Sequence, residues 1–118
     1  MFDKQKVIDP EDYFWQFIED FQAIKNDNYT TISRCLSLKY ARDKQALIIM
    51  FKDLQEKLKQ KLNREELELG IDNFDDLTAS IIGLGQKRYY SALKNPNSAM
   101  YLTDSIKSVY TVLNLLSI

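Results

Sequence analysis

Apolar positions along this chain recur at steps of three and four residues, and no comparable stretch alternates apolar with polar at every second position. That is the period of helices with one buried face, not of half-buried strands. Asp9-Pro10-Glu11-Asp12 opens the first stripe. Asp9 can cap, Pro10 suits the first helical position, and the two acids favour the positive end of the helix. Phe14, Phe17, Ile18, Phe21 and Ile24 follow on one face as far as about Lys25, where Asn26-Asp27-Asn28 breaks the pattern. A short restart near Thr30 or Thr31 carries Ile32, Cys35 and Leu36.

The third segment, residues 42–62, aligns Leu47, Phe51, Leu54, Leu58 and Leu62, with Lys52, Lys57, Lys59 and Lys61 on much of the opposite side. Asn63 and Arg64-Glu65-Glu66-Leu67 suggest a further helical turn that ends at Gly70. Asn73 is a candidate cap for one continuous helix of roughly 22 residues, about 33 Å at 1.5 Å each. Phe74, Leu77, Ile81 and Leu84 line one edge of it, and Ile82, Gly85, Tyr89 and Leu93 the next. Asn95-Pro96-Asn97 stops it, because a residue before proline avoids the helical region. From Ser98, a last helix lines up Leu102, Ile106, Val109, Leu113 and Leu116. The expectation is an all-α fold: a single compact domain of about five helices over residues 1–118, with residues 1–8 a frayed lead.

Composition agrees with that reading. The 118 residues suit one domain, and 45% hydrophobic with 28% charged residues is the balance of a globular chain. Three glycines and two prolines leave little material for the turns of a sandwich or barrel. The start, MFDKQKVIDPEDYFW, has acids where a signal peptide would be apolar, and no 18-residue apolar stretch exists. With a single cysteine, an intrachain disulfide is excluded. These features point to a cytoplasmic protein that does not engage a membrane.

Charge is uneven even though the net value is −1. Residues 39–64 hold eight basic and three acidic side chains, whereas residues 65–76 hold six acids and no base. Such an acidic run is ordinarily a solvated helix end; its functional alternative is a patch that meets a basic partner surface. The net charge disfavours nucleic acid as a partner. The lysines at 52–61 with Arg64 are interrupted by Asp53 and Glu56, and no aromatic residue is interleaved among them.

Catalytic chemistry has little to draw on. The chain has no histidine, the commonest general base and metal ligand. Cys35, spaced with Ile32 and Leu36, reads as a small core residue rather than a nucleophile. Asp72, Asp75 and Asp76 with Glu65, Glu66 and Glu68 lack the alternating order of a calcium loop, and no metal or cofactor is expected. The stretch GLGQKR at 83–88 has paired glycines followed by Lys87 and Arg88, but Arg88 stands where a dinucleotide fingerprint needs its third glycine. The expected role is a notch in which Gly83 and Gly85 are both buried against another helix, one carrying Trp15 or Phe14. Among the tyrosines, Tyr89 fits the buried stripe while Tyr90, Tyr101 and Tyr110 join the amphipathic residues that either half-pack or anchor a partner.

Phe14-Trp15 with Ile18-Glu19, and FDDLTASIIGLGQKRYYSALKNP at 74–96, resemble a bacterial helical domain family without an assigned activity. Its members open with FW-x-x-IE and later carry an acidic F-D-x-F segment, a glycine and Y-x-x-x-L-x-x-P. Phe74, Asp75, Leu77, Ile81, Ile82, Gly85, Tyr89 or Tyr90, Leu93 and Pro96 stand in those places. The family's tryptophan-rich segment is replaced here by NREELELGID. The resemblance implies a helical fold without catalytic residues. By class it is similar to the immunity proteins of toxin–immunity pairs, which bind and occlude a cognate toxin domain. The partner-binding residues expected on this reading are Glu65, Glu66, Glu68, Asp72, Asp76 and Tyr90. The alternative is a small regulatory or nucleic-acid-associated protein that uses the basic face at 52–64.

Overall fold

A computed structural model of the chain describes residues 9–62, 70–96 and 109–116, with the side chains of residues 71 and 72 left aside. Among the described residues the fold is all-α, with six α-helices and no strand. Helix α1 (Pro10–Ile24) is followed by α2 (Tyr29–Tyr40), a 3-10 turn (Ala41–Asp43) and α3 (Lys44–Lys61). Then come α4 (Ile71–Gly83), α5 (Gln86–Lys94) and α6 (Val109–Leu115).

The start of α1 forms as its sequence dictates, whereas α2 starts at Tyr29, just before the expected restart at Thr30 or Thr31. The Asp9 carboxylate accepts from the backbone amide of Glu11 at 2.8 Å, and Pro10 takes the first helical position. Asn28, part of the break after α1, caps α2 by accepting from the Thr31 amide at 2.8 Å. Each side-chain cap satisfies an amide that has no partner inside the helix, an effect of about 1 kcal/mol. Helix α4 starts differently. It begins at Ile71 after Gly70 with no side-chain cap, and Asn73 is exposed inside its first turn.

Helix α3 is the central element and packs against α1, α4, α5 and α6. Its Leu47, Phe51, Leu54 and Leu58 are buried, and α1 contributes Phe14, Trp15, Phe17, Ile18 and Phe21 to the same core. Full burial of one such side chain stabilises the fold by about 1.5–3 kcal/mol. Rings run in contact from Tyr40 through Phe17, Phe14 and Phe51 to Tyr110, with centroid separations of 5.1, 6.2, 6.5 and 5.5 Å. A branch leads from Phe14 through Trp15 to Tyr89, 5.3 Å at each step. Thr78 is the buried polar side chain of the described core. Its hydroxyl bonds the Phe74 carbonyl at 3.0 Å and accepts from the Gln55 amide at 3.0 Å, so it carries no unmet bond.

Three expectations are corrected. The single long helix over 73–94 is two helices, because Gly85 has φ +112°, a conformation that ends α4 and starts α5. The glycine pair is therefore not a notch in a continuous helix. Gly83 is buried, but Gly85 is half-buried, and the residue that approaches from α1 is Gln22 rather than Trp15 or Phe14. Gln22 donates its side-chain amide to the Gly83 carbonyl at 3.1 Å, filling one of the bonds a helix end leaves open. Cys35 is exposed, not a core residue: Ile32 and Leu36 turn inward, and Cys35 falls just outside the buried arc of this short helix.

Candidate functional site

Helices α3, α4 and α6 enclose an open groove of about 210 Å³. The spacing of α3 brings Phe51, Lys52, Gln55 and Lys59 to one edge, α4 supplies Asp75, Asp76 and Ala79, and α6 supplies Tyr110. Phe51 is buried and stacks on Tyr110 at 5.5 Å and 28°, while Tyr110 itself remains 37% exposed. The groove thus has an aromatic floor continuous with the core and a charged rim.

The rim charges are not equivalent. Lys59 pairs with Asp75, joining the basic face of α3 to the acidic start of α4. Both partners keep solvent access, so the pair contributes at most about 1 kcal/mol. Gln55 donates to the Asp75 carbonyl at 3.3 Å and to Thr78, which fixes the α3–α4 register beside the groove. Lys52 places its ammonium 5.7 Å from the Tyr110 ring centroid, within cation–π range. Asp76 is exposed and pairs with no cation among the described residues.

A second cluster joins α1 to α5. The Glu11 carboxylate accepts from Trp15 Nε1 at 3.0 Å and from the Tyr90 hydroxyl. Tyr90 stands edge-on to Tyr89, 5.1 Å between centroids, and is 40% exposed. Burial, and then the bond to Glu11, push its hydroxyl up to about 12. Tyr89 is buried and donates to the Leu54 carbonyl at 2.8 Å; burial is also the main cause that raises its pKa. On the far side of α1, Tyr13 donates to Asp43 at 2.6 Å and Tyr40 donates to Asp20, which also receives Lys39 at 3.2 Å. Tyr13, Tyr40 and Tyr90 are therefore held by carboxylates of their own chain, and Tyr89 by a backbone carbonyl.

Against the residues expected to bind a partner, Glu65, Glu66 and Glu68 lie outside the described residues, as do Tyr101 and the side chain of Asp72. Asp76 lines the groove, whereas Tyr90 faces α1 and shares no contact with it. Among the described residues, no group of three His, Cys, Asp or Glu side chains is arranged to hold a metal ion. Nor is any described helix long and apolar enough to cross a membrane. No protein-family model, curated protein or solved structure matches the chain.

The sequence did not mark Lys52, Gln55 and Tyr110 as neighbours. Helical spacing places Lys52, Gln55 and Lys59 along one edge of α3, but it does not say which edge of α4 or α6 they meet. The charge contrast between residues 39–64 and 65–76 carried part of the information, since one member of each segment joins in the Lys59–Asp75 pair.

Proposed function

We propose that this protein is a non-catalytic binding protein that neutralises a cognate bacterial toxin domain by stoichiometric association and occlusion. The observation that carries the reading is the α3–α4–α6 groove. It is open, has an aromatic floor, and carries on its rim the Asp76 carboxylate, which pairs with no cation among the described residues and ends the acidic run 65–76. Exposed aromatic surface beside a charge is the make-up of a protein-binding hot spot. An acidic approach suits a toxin whose own cleft is basic enough to hold nucleic acid.

The reading is tested by co-expression with a candidate toxin domain, sought first in the reading frame next to the gene. Rescue of growth is expected from the chain, and slower association from variants with charge reversal at Glu65, Glu66 and Glu68. Absence of rescue by a folded chain counts against neutralisation. The basic face at 52–64 supports the alternative, a nucleic-acid-associated protein, less well. Lys57 pairs with Asp53 at 3.4 Å and Lys59 with Asp75, so only part of its charge is available to phosphates. Salt-dependent binding of DNA or RNA that persists at physiological ionic strength would reverse that preference.

A further inference from the structure

We propose that the α3–α4–α6 groove receives one arginine side chain of a protein partner, and that Lys52 occupies its cation position until the partner arrives. The groove's use by a toxin rests on the neutralisation reading above; its chemistry does not.

Size sets the first limit. At about 210 Å³ the groove is smaller than the roughly 300–1,000 Å³ typical of cofactor and drug-sized pockets, and suits one long side chain. Charge sets the second. Asp75 is held by Lys59, which leaves the Asp76 carboxylate to face an incoming group. A phosphate or carboxylate stacked on Tyr110 would gain from Lys52 but meet the Asp76 carboxylate unfavourably, whereas a cation bonds Asp76 and displaces Lys52. The third observation concerns the floor. The Tyr110 ring already attracts a cation, the Lys52 ammonium at 5.7 Å, so the chain itself displays what this surface accepts. Lys52 is exposed and unpaired by any carboxylate among the described residues, so it swings aside at little cost.

Arginine meets these conditions better than lysine. Its planar guanidinium offers two parallel N–H donors to one carboxylate and stacks on an aromatic face. An ammonium does only one of these at a time. In the bound arrangement the guanidinium bonds Asp76, its plane lies against Tyr110, and the aliphatic stem covers the edge of Ala79.

The test uses the full chain, isotopically labelled, titrated with N-acetyl-arginine amide and followed by amide chemical shifts. Saturable shifts centred on Lys52, Asp76, Ala79 and Tyr110 are expected, with a dissociation constant on the order of millimolar. The uncharged citrulline analogue is expected to give none. Asp76→Asn should weaken binding roughly fivefold, about 1 kcal/mol. Lys52→Ala should strengthen it roughly twofold or more, because the internal competitor is gone. Both positions are exposed, and helical circular dichroism confirms that each variant is folded. Absent saturation, shifts centred elsewhere, equal binding of citrulline, indifference to Asp76→Asn, or weaker binding by Lys52→Ala would each overturn the proposal. No toxin is needed, so a failed titration overturns the arginine assignment, while neutralisation is read separately by the rescue of growth.

Discussion

Replacing Gly85 with alanine separates two accounts of the GLGQKR stretch. A Cβ at this position would sit 3.4 Å from Gln22 Nε2, an ordinary contact with the end of a flexible side chain. Space is therefore not the obstacle. The backbone is, because φ +112° with ψ 169° lies in a region that only glycine occupies readily. Holding alanine there costs about 1–3 kcal/mol, or else α4 and α5 shift and the Gln22–Gly83 bond is lost. Gly70 is the internal control: it has φ −71° and nothing within 4 Å of an added Cβ. Gly70→Ala should change stability by less than about 1 kcal/mol, because the gain through the unfolded state is offset by alanine's poorer fit at the N-cap of α4. Urea unfolding followed by circular dichroism reads both, as midpoint changes at constant slope. Strain also predicts that Gly85→Leu costs little more than Gly85→Ala. A neutral Gly85→Ala would refute the strain argument, and a Leu variant far worse than Ala would show that close packing limits the site instead.

Other expected outcomes follow from single contacts. Tyr89→Phe removes a buried hydroxyl that donates to the Leu54 carbonyl at 2.8 Å, and should cost about 1 kcal/mol in the same urea assay. Lys44 donates to the carbonyls of Asn114 and Leu116 at 3.0 and 3.2 Å, placing a cation at the negative end of α6. Lys44→Met should lower stability by about 0.5–1 kcal/mol, and by less in high salt. Burial raises the hydroxyls of Tyr13, Tyr40, Tyr89 and Tyr90, those of Tyr13 and Tyr90 to about 12. An unfolded tyrosine ionises near pH ~10, so the unfolded state loses these protons first. Stability is then full below about pH 10 and falls as pH rises towards 12, and tyrosinate absorbance should appear together with unfolding. Early ionisation of all the tyrosines in the folded chain would contradict that assignment.

Helix identity was legible because the buried faces of α1 and α3 repeat over several turns. Phe14, Phe17, Ile18 and Phe21, and then Leu47, Phe51, Leu54 and Leu58, all lie where the spacing put them. The α4–α5 break was hidden by the same rule. Apolar spacing runs on through Ile81, Ile82 and Tyr89 as if the helix were continuous, and it contains nothing about the sign of a glycine's φ. Cys35 was misplaced because one turn of a short helix leaves the width of its buried arc undetermined. At the candidate site, Asp76 was legible as an acid near a helix start. Its neighbours Lys52 and Tyr110 are 24 and 34 residues away in the sequence, joined by packing that no local pattern encodes.

The central claim, neutralisation by binding and not by chemistry, is tested most directly by stoichiometry. A candidate toxin domain, sought first in the reading frame next to the gene, is purified, and its activity is measured while this chain is added. The account predicts a linear loss of activity to an equimolar end point, reached more slowly as salt screens the acidic approach. Full inactivation by a small fraction of an equivalent would mean turnover, and undiminished activity with a molar excess of folded chain would mean that the partner is something else; either result contradicts the account.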